Sequence, residues 1–313
     1  MDVTNFTYFT LTGHVDLQNY RYVYFLMTLC VYILIIVFNT VVFYLILMNK
    51  HLHEPMYIFI AALLCNALFG ATVLCPKLLI DLLSEKQIAS YHGCLFQVLF
   101  VYWYAGTEFT LLSAMAYDRY VSICKPLHYT TLVKMTTVKI LIFLSWCLPC
   151  CELGVGIIAI YQLQLCKFRL NRIYCDSYSI LKLSCKETSA NSSYGLFVFS
   201  IGVFPPVTFI FYSYVRILSV CLKNSRDFRK KALQTCLPHI FIFIIFFVNI
   251  CFEVLYSRLE SNQIPHIIAM IMSVEYLLIP PLFNPVIYGL KLKEISKSIK
   301  KLISRKKWTG ISF

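Results

Sequence analysis

Charged side chains are scarce in this sequence. Asp, Glu, Lys and Arg make up 14% of the 313 residues, whereas 59% of the residues are hydrophobic. Soluble domains carry roughly 25% charged residues, so this composition excludes an ordinary soluble protein and indicates a chain solvated by lipid. The length predicts one compact membrane domain, with little sequence left for a second.

Patterns that would indicate an enzyme or another kind of membrane protein are missing. The sequence has no nucleophile–base arrangement, phosphate-binding loop or metal-ligand spacing, so we expect neither an enzyme nor a zinc site. Ten-residue segments of alternating polarity are missing, which argues against a transmembrane β-barrel. There is no internal repeat, and Glu108 is the only carboxylate that we place deep in an apolar stretch, which argues against a transporter or channel.

Long apolar runs, in contrast, are abundant. There are seven, and each exceeds the roughly 20 residues that a helix needs to cross the hydrocarbon core of a bilayer. They lie at about residues 22–48, 56–83, 94–124, 139–161, 194–221, 231–256 and 266–290. We therefore predict an all-α membrane protein with a bundle of seven transmembrane helices.

The distribution of Lys and Arg predicts which way the chain crosses the membrane. With the N-terminus outside, about 18 basic residues lie on the inner side and about eight on the outer side, as the positive-inside rule requires. We predict an extracellular segment 1–21, a membrane domain 22–290 and a cytoplasmic basic tail 291–313. The net charge of +13 is thus a sign of topology rather than of nucleic-acid binding. The tail is expected to begin with a short amphipathic helix and to contact anionic lipid.

The N-terminal residues carry two further expectations. Residues 1–20 lack a basic start and an apolar core, so we expect no cleavable signal peptide, and the first span serves as the signal anchor. Asn5-Phe6-Thr7 is an acceptor sequence for N-glycosylation on the predicted outer side.

Asp118, Arg119 and Tyr120 stand at the inner end of the third span. A charged pair at a membrane boundary is costly to maintain, so it predicts a latch or a docking point. Residues 115–129 read Met-Ala-Tyr-Asp-Arg-Tyr-Val-Ser-Ile-Cys-Lys-Pro-Leu-His-Tyr. This segment closely resembles the third-helix signature of vertebrate odorant receptors, a branch of the rhodopsin-like (class A) G-protein-coupled receptors.

Further motifs resemble the same family, in the expected order along nearly the whole chain. They are Leu-His-Glu-Pro-Met-Tyr at 52–57, Leu-Ser-Trp at 144–146, Ser-Tyr-Val-Arg-Ile at 213–217, Lys-Ala-Leu-Gln-Thr-Cys-Leu-Pro-His-Ile at 231–240 and Pro-Leu-Phe-Asn-Pro-Val-Ile-Tyr at 281–288. The resemblance implies a multi-pass receptor of the plasma membrane. It also implies a small-molecule odorant, a heterotrimeric G protein of the stimulatory olfactory type and a rise in cyclic AMP.

The 14 cysteines do not form a disulfide framework throughout, because most of them lie within apolar spans, where cysteine behaves as a small hydrophobic residue. Cys94, Cys166, Cys175 and Cys185 fall on the predicted outer face, where disulfides persist. Four cysteines allow three pairings, and the spacing leaves all three open. The resemblance implies the pairs Cys94–Cys175 and Cys166–Cys185.

Arg119 needs a partner at its depth in the membrane, and the neighbouring Asp118 is the expected resting partner. Release of this latch would free Arg119 for Tyr214, Tyr288 or a bound protein. The alternative is an ordinary inner-face anchor whose side chain extends to lipid headgroups. His239, beside the inner half of the sixth span, is expected to be a switch or packing residue rather than a catalytic base.

Asn284 and Pro285 place a proline inside the seventh span. Proline removes one helix hydrogen bond and bends the helix, and Asn284 can bond the freed backbone group, so we predict a hinge with Tyr288 one turn further in. The alternative is a tolerated kink. Pro238 stands where the family usually has serine, which could alter the hinge of the sixth span.

Glu108 lies near the middle of the third span, and an intramembrane carboxylate suggests a functional site. It could bind a sodium ion, accept hydrogen bonds from neighbouring helices or sit protonated. In the family a helix-three glutamate works beside a helix-two aspartate, but the matching position here is Ala67, with Asn66 beside it. This departure argues against a sodium site.

The resemblance places a ligand pocket in the outer half of the bundle, between the third, fifth, sixth and seventh spans. The sixth span lacks the central tryptophan and proline of most rhodopsin-like receptors, which argues against an amine or peptide receptor, and the outer half of the third span offers no aspartate to pair with an amine. We therefore expect a small, mostly apolar ligand with one or two polar groups. About half of the candidate wall residues should contact it, since apolar residues at helical spacing usually pack in a core. The candidates are Tyr102, Ala105, Gly106, Val207, Phe247, Ile250, Cys251 and Val254.

Two alternatives to a fully signalling odorant receptor remain open at this point. One is a rhodopsin-like receptor for an internal small molecule or lipid. The other is an odorant receptor with impaired signalling, because Ala67 and Pro238 depart from the family pattern at two switch positions.

Overall fold

Long helices make up most of the chain, which we describe from a computed structural model covering residues 8–13, 20–185, 189–259 and 266–291. Seven of the helices match the seven predicted spans in order, and they extend beyond the apolar runs by up to about five residues at either end, because polar residues continue the helix. The seven are α1 (Arg21–Met48), α2 (Pro55–Leu83), α3 (Tyr91–Cys124), α5 (Met135–Tyr161), α7 (Ser189–Lys223), α8 (Arg226–Leu259) and α9 (His266–Lys291). Two short helices, α4 (Tyr129–Leu132) and α6 (Ser177–Leu181), lie between them.

Length and composition alone identify five membrane-spanning helices in the described ranges: α1, α2, α5, α7 and α8. For α9 the apolar segment assessed is the shorter stretch Leu277–Gly289. Helix α3 is the least obvious span, because it carries Glu108 and Asp118, both fully buried. It packs against α2, α5, α7 and α8. A helix surrounded by other helices can keep polar groups that lipid would not tolerate.

Local signals fix where several helices begin. Pro55 stands in the first turn of α2, where its missing N–H costs nothing. Ser90 caps α3, and its Oγ accepts a hydrogen bond from the Gly93 N–H at 3.1 Å. Asp176 caps α6 in the same way, accepting from the Ser179 N–H at 2.9 Å.

Two disulfides mark one end of the bundle, which we call the disulfide end. Cys94 bonds Cys175 and Cys166 bonds Cys185, with Cα–Cα distances of 5.4 and 4.9 Å. These are the two pairs that the resemblance implied. The first bond fastens the loop between α5 and α7 to the start of α3, and the second closes a ring within that loop. We call the opposite end, where Asp118 and Arg119 lie, the Arg119 end.

A small sheet at the disulfide end was not expected from the sequence. Strand β1 (Tyr8–Leu11) lies between β2 (Ile88–Ser90), to which it is antiparallel, and β3 (Arg169–Leu170), to which it is parallel. Phe9 and Leu11 point inward and are buried with Cys94 and Cys175. The sheet therefore fastens the N-terminal segment to the loops that cover this end of the bundle.

Gly70 allows α2 to approach α3 closely. An added Cβ at Gly70 would lie 2.6 Å from Cγ of Tyr104, a fully buried ring that packs on Phe246. We expect Gly70→Ala to lower the free energy of unfolding by about 1–3 kcal/mol, because the ring would have to leave its packed position. Thermal unfolding of the purified protein in detergent measures this.

Gly154 supplies the matched control for that change. A Cβ at Gly154 would meet no atom within 4 Å, so Gly154→Ala should leave the melting temperature unchanged or raise it slightly. Equal melting temperatures for the two variants would contradict the close approach of α2 and α3.

Candidate functional site

A cavity of about 170 Å³ lies toward the disulfide end, between α3, α5, α6, α7 and α8. The sequence had placed the pocket beside the seventh span, but no described residue of α9 lines this cavity, and the fourth span, α5, contributes to its wall instead. Five of the eight predicted wall residues line it: Tyr102, Ala105, Gly106, Ile250 and Val254. Their contact with a ligand remains a prediction.

Val207, Phe247 and Cys251 do not line this cavity. Val207 and Phe247 pack instead against the apolar cluster around Phe246, and the Phe247 ring stacks on Phe243 at a centroid distance of 5.9 Å. Cys251 follows Ile250 by one position, which turns its side chain about 100° around α8. Apolar periodicity alone could not distinguish the face of each helix that lines the cavity from the face that packs on a neighbour.

Small residues determine the shape of the cavity. An added Cβ at Gly106 would lie 2.7 Å from Cβ of Pro149, so this glycine lets α3 approach α5. Gly156, Gly195 and Gly202 also belong to the wall. The absence of side chains at these positions leaves room for a small molecule.

The wall contains polar residues that the sequence analysis missed. Glu152 of α5 and Glu253 of α8 line the cavity, together with Ser177, whose Oγ donates to the Tyr102 hydroxyl at 3.3 Å. The expectation that Glu108 is the only deeply placed carboxylate was therefore wrong, since Glu253 is 6% exposed and Oε1 of Glu152 is buried. The signal was present, because both glutamates fall inside predicted spans.

An ion-pair cluster joins the loop after α5 to α8. Arg172 lies 3.5 Å from Asp176 and 3.5 Å from Glu253, and the Tyr174 hydroxyl donates to Glu253 at 2.8 Å. The Arg172 guanidinium also stacks 4.6 Å from the centre of the Tyr256 ring. Burial alone would lower the pKa of Arg172, but Asp176 and then Glu253 outweigh burial and raise it. Arg172 therefore stays charged and couples the loop to α8.

Glu108 is the centre of a polar cluster that joins three helices. It accepts hydrogen bonds from Nδ2 of Asn66 on α2 at 2.7 Å and from Nδ2 of Asn284 on α9 at 3.1 Å, and all three residues are fully buried. Asn66 also donates to the Tyr104 carbonyl at 3.1 Å. The partner on α2 is thus Asn66, one position before Ala67.

In this arrangement N–H groups donate to both carboxylate oxygens of Glu108, so a sodium ion, which requires oxygen ligands, would have to displace these hydrogen bonds. The prediction that Glu108 accepts hydrogen bonds from neighbouring helices is confirmed. The predicted sodium site remains untested.

Asp118 holds Arg119 at the Arg119 end of the bundle. Nε of Arg119 donates to Asp118 at 3.0 Å, and a second guanidinium nitrogen contacts the same carboxylate oxygen. The Tyr129 hydroxyl donates to the other oxygen at 2.8 Å, and Asp118 is fully buried. Burial and then the Asp118 carboxylate raise the pKa of Tyr129, so the phenol stays protonated and available as a donor. The sequence indicated Tyr129 only as part of the motif at residues 115–129 and not as a partner of Asp118.

The other predicted switch residues surround this latch without bonding Arg119. The Tyr214 hydroxyl lies 2.5 Å from Nδ1 of His239, which joins α7 to α8. Tyr288 is buried in the same apolar cluster that Tyr214 and Tyr120 contact. Within the described ranges, the hydrogen bonds of the Arg119 guanidinium go to Asp118, so the expected exchange with Tyr214 or Tyr288 would need a rearrangement.

The chain remains helical at Pro285 and Pro238, the two prolines that the sequence linked to a hinge. Pro285 lies inside α9, and the Pro281 carbonyl that it leaves free accepts from Nδ2 of Asn39 on α1 at 2.8 Å. The expectation that Asn284 bonds this freed group was wrong, because the Asn284 side chain donates to Glu108 across the bundle. Pro238 lies inside α8, next to His239. The hinge at Pro285 and the effect of Pro238 on the hinge of the sixth span stay predictions, as do the glycosylation of Asn5 and the amphipathic helix of the tail, both of which lie outside the described residues.

Comparison with known proteins gives a consistent result. A family profile described as "Olfactory receptor" matches residues 28–306. Human olfactory receptor 10J5 is 32% identical over 303 residues, which cover 96% of this chain and 97% of that protein. Human olfactory receptor 8G1 is 34% identical over 304 residues, which cover 96% of each.

Among solved structures, squid rhodopsin superposes with a TM-score of 0.75 over 92% of this chain and 86% of its own, at 17% sequence identity. That likeness shows the fold, a bundle of seven transmembrane helices. The resemblance found in the motifs is thereby confirmed, and the chain belongs to the olfactory receptor family, whose members are G-protein-coupled receptors of the plasma membrane rather than enzymes.

Proposed function

We propose that this receptor binds a small, mostly apolar odorant in the cavity between α3, α5, α7 and α8, and that it activates a stimulatory olfactory-type G protein to raise cyclic AMP. The cavity itself carries the proposal. It is lined mainly by apolar and small residues with a few polar groups, as binding sites for small molecules are.

The proposal includes an orientation. The disulfide end faces the outside, where disulfides persist, and the Arg119 end faces the cytoplasm. Residues 1–21 are then extracellular, residues 22–290 form the receptor domain, and the basic tail 291–313 lies inside along the lipid headgroups. The excess of Lys and Arg on the Arg119 side supports this orientation.

Helix α8 provides the physical connection between the two ends. Ile250 and Val254 line the cavity, whereas His239 bonds Tyr214 about 16 Å further along the same helix. A ligand that binds more tightly to the active arrangement shifts the population toward it. Movement of α8 would separate His239 from Tyr214 and open a cleft beside Arg119 for the G protein.

Arg119→Ala tests the coupling role of the latch. We expect cells that express the wild-type chain with an olfactory-type G protein to raise cyclic AMP when exposed to a panel of volatile and water-soluble small molecules. Arg119→Ala should reduce that response at least tenfold at equal surface expression, because it removes the cation proposed to engage the G protein. The measurement is cyclic AMP accumulation together with surface labelling.

Lys86→Ala is the matched control, since Lys86 is an exposed cation at the disulfide end. A full response from Arg119→Ala would contradict the proposed coupling. If well-expressed wild-type protein gives no cyclic AMP response, the signalling-impaired alternative is favoured. Restoration of signalling by Ala67→Asp with Pro238→Ser would establish it. A response to lipids or metabolites alone would favour an internal ligand.

A further inference from the structure

Two carboxylates, Glu152 and Glu253, line the cavity, and none of the described lining residues is Lys, Arg or His. The Arg258 guanidinium lies beside the wall at Gly195, where an added Cβ would be 3.8 Å from its Nη2. The two carboxylates differ in their surroundings. Glu253 is paired with Arg172 and accepts from the Tyr174 hydroxyl, so its charge is compensated by the loop after α5.

Glu152 has no such compensation. The Glu152 side chain is partly buried, and its Oε1 is fully buried with no hydrogen-bond partner in the part of the chain that the structure describes. Both of its oxygens lie beside Gly202 of α7, since an added Cβ there would be 3.4 Å from Oε2 and 3.5 Å from Oε1. Glycine at this position therefore leaves room for the carboxylate between α5 and α7.

A carboxylate in such a place needs a partner. Removing an ionised group from water without a hydrogen bond or a counter-charge is costly, and buried charges in proteins are normally paired. In this receptor the space in front of Glu152 is the cavity. A ligand cation would supply the missing partner, and a charge-assisted hydrogen bond is stronger than a neutral one.

We propose that Glu152 is the anchoring residue for the ligand and that the ligand class is small amines, with a protonated nitrogen against Glu152 and an apolar body against Ala105, Phe109 and Ile250. This rests on the proposed function of the cavity and names its ligand class. The sequence had argued against an amine ligand because the third span offers no aspartate, but Glu152 of α5 places a carboxylate at the cavity instead.

The volume of the cavity limits the size of the amine. An apolar cavity of about 150 Å³ holds benzene, so a cavity of about 170 Å³ suits a ligand slightly larger than one six-membered ring. Cyclohexylamine has this size. Cyclohexanol and methylcyclohexane keep its shape without the charge, so the three compounds separate shape from charge.

The test uses the full-length receptor and two readouts. Cyclohexylamine, benzylamine, cyclohexanol and methylcyclohexane are each tested for cyclic AMP accumulation in cells and for thermal stabilisation of the purified receptor, which reports binding without signalling. The variants are Glu152→Gln, which removes the charge at constant shape, and Glu85→Gln, an exposed control of the same chemistry.

We expect the amines to act at concentrations about 10- to 100-fold lower than cyclohexanol does on the wild type, and Glu152→Gln to remove that advantage. Glu85→Gln should behave as wild type. If Glu152→Gln reaches the surface poorly, Glu152→Asp keeps the charge on a shorter stem and should retain part of the preference for amines.

Equal potency of amines and cyclohexanol, an unchanged amine response in Glu152→Gln, or the absence of any stabilisation by either amine would overturn the inference. The proposed function fails separately. Amine binding that depends on Glu152 but gives no cyclic AMP would support the amine site and contradict the proposed G-protein coupling. A cyclic AMP response to uncharged compounds only would support the coupling and contradict the amine site.

Discussion

Replacing Cys94 with serine is expected to remove most of the receptor from the cell surface. The Cys94–Cys175 bond closes a segment of 81 residues and holds the loop that places Tyr174 and Ser177 against the helices. Both cysteines are buried, and the Cys175 N–H donates to Gln97 at 3.0 Å, so the loop and α3 form one packed unit. Loss of a native disulfide costs about 2–5 kcal/mol, which is enough to unfold a marginally stable protein.

Two further cysteine variants sharpen this prediction. Cys185→Ser opens the second disulfide, which closes a segment of only 19 residues, so its effect on surface expression should be smaller. Cys30→Ser changes an exposed free cysteine and should have no effect. The measurement is surface labelling and thermal stability of the three variants. Equal loss in Cys94→Ser and Cys30→Ser would contradict the structural role of the bond.

Glu108→Ala is expected to produce the second large effect, a loss of about 2–4 kcal/mol in stability. The change removes the acceptor for two fully buried amides, those of Asn66 and Asn284. An unsatisfied buried donor costs about 1–2 kcal/mol, with membrane proteins toward the low end. Because the three residues join α2, α3 and α9, we expect both the melting temperature and the ligand response to fall.

Glu108→Gln is the control that separates hydrogen bonding from charge. Its side chain keeps one acceptor and gains an N–H₂ group that can donate to Oδ1 of Asn284, which has no partner among the described residues. We expect its melting temperature to stay within about 1 kcal/mol of wild type. A loss equal to that of Glu108→Ala would show that the charge itself is needed. Sensitivity of the wild type alone to replacement of sodium by N-methylglucamine would then support a sodium site.

The sequence determined the architecture and the family. Seven apolar runs are longer than a bilayer requires, and no soluble fold could accommodate them. The segment around Asp118 and Arg119 identified the family because it is long and continuous, so it needed no knowledge of how the helices pack. The Asp118–Arg119 pair itself was predictable, since the two residues are neighbours in the chain.

Contacts between helices could not be read from the sequence. Glu108 bonds Asn66 and Asn284, which are 42 and 176 residues away, and the motif comparison pointed to Ala67 rather than to Asn66. One position along a helix rotates a side chain by about 100°, so only the packed bundle shows which of two neighbours faces the centre. The same reason applies to Cys251 and Ile250, of which only Ile250 lines the cavity.

The sequence by itself thus determined the number of spans, the family and the residues of the Asp118–Arg119 latch, because each of these depends on residues that are consecutive in the chain. The tertiary structure decided which side chains share a site. Tyr129 completes the latch, Arg172 compensates Glu253, and Glu152 faces the cavity without a partner in the described chain. These facts depend on how each helix is rotated against its neighbours, and packing at Gly106 and Gly202 sets that rotation only when the whole bundle is assembled.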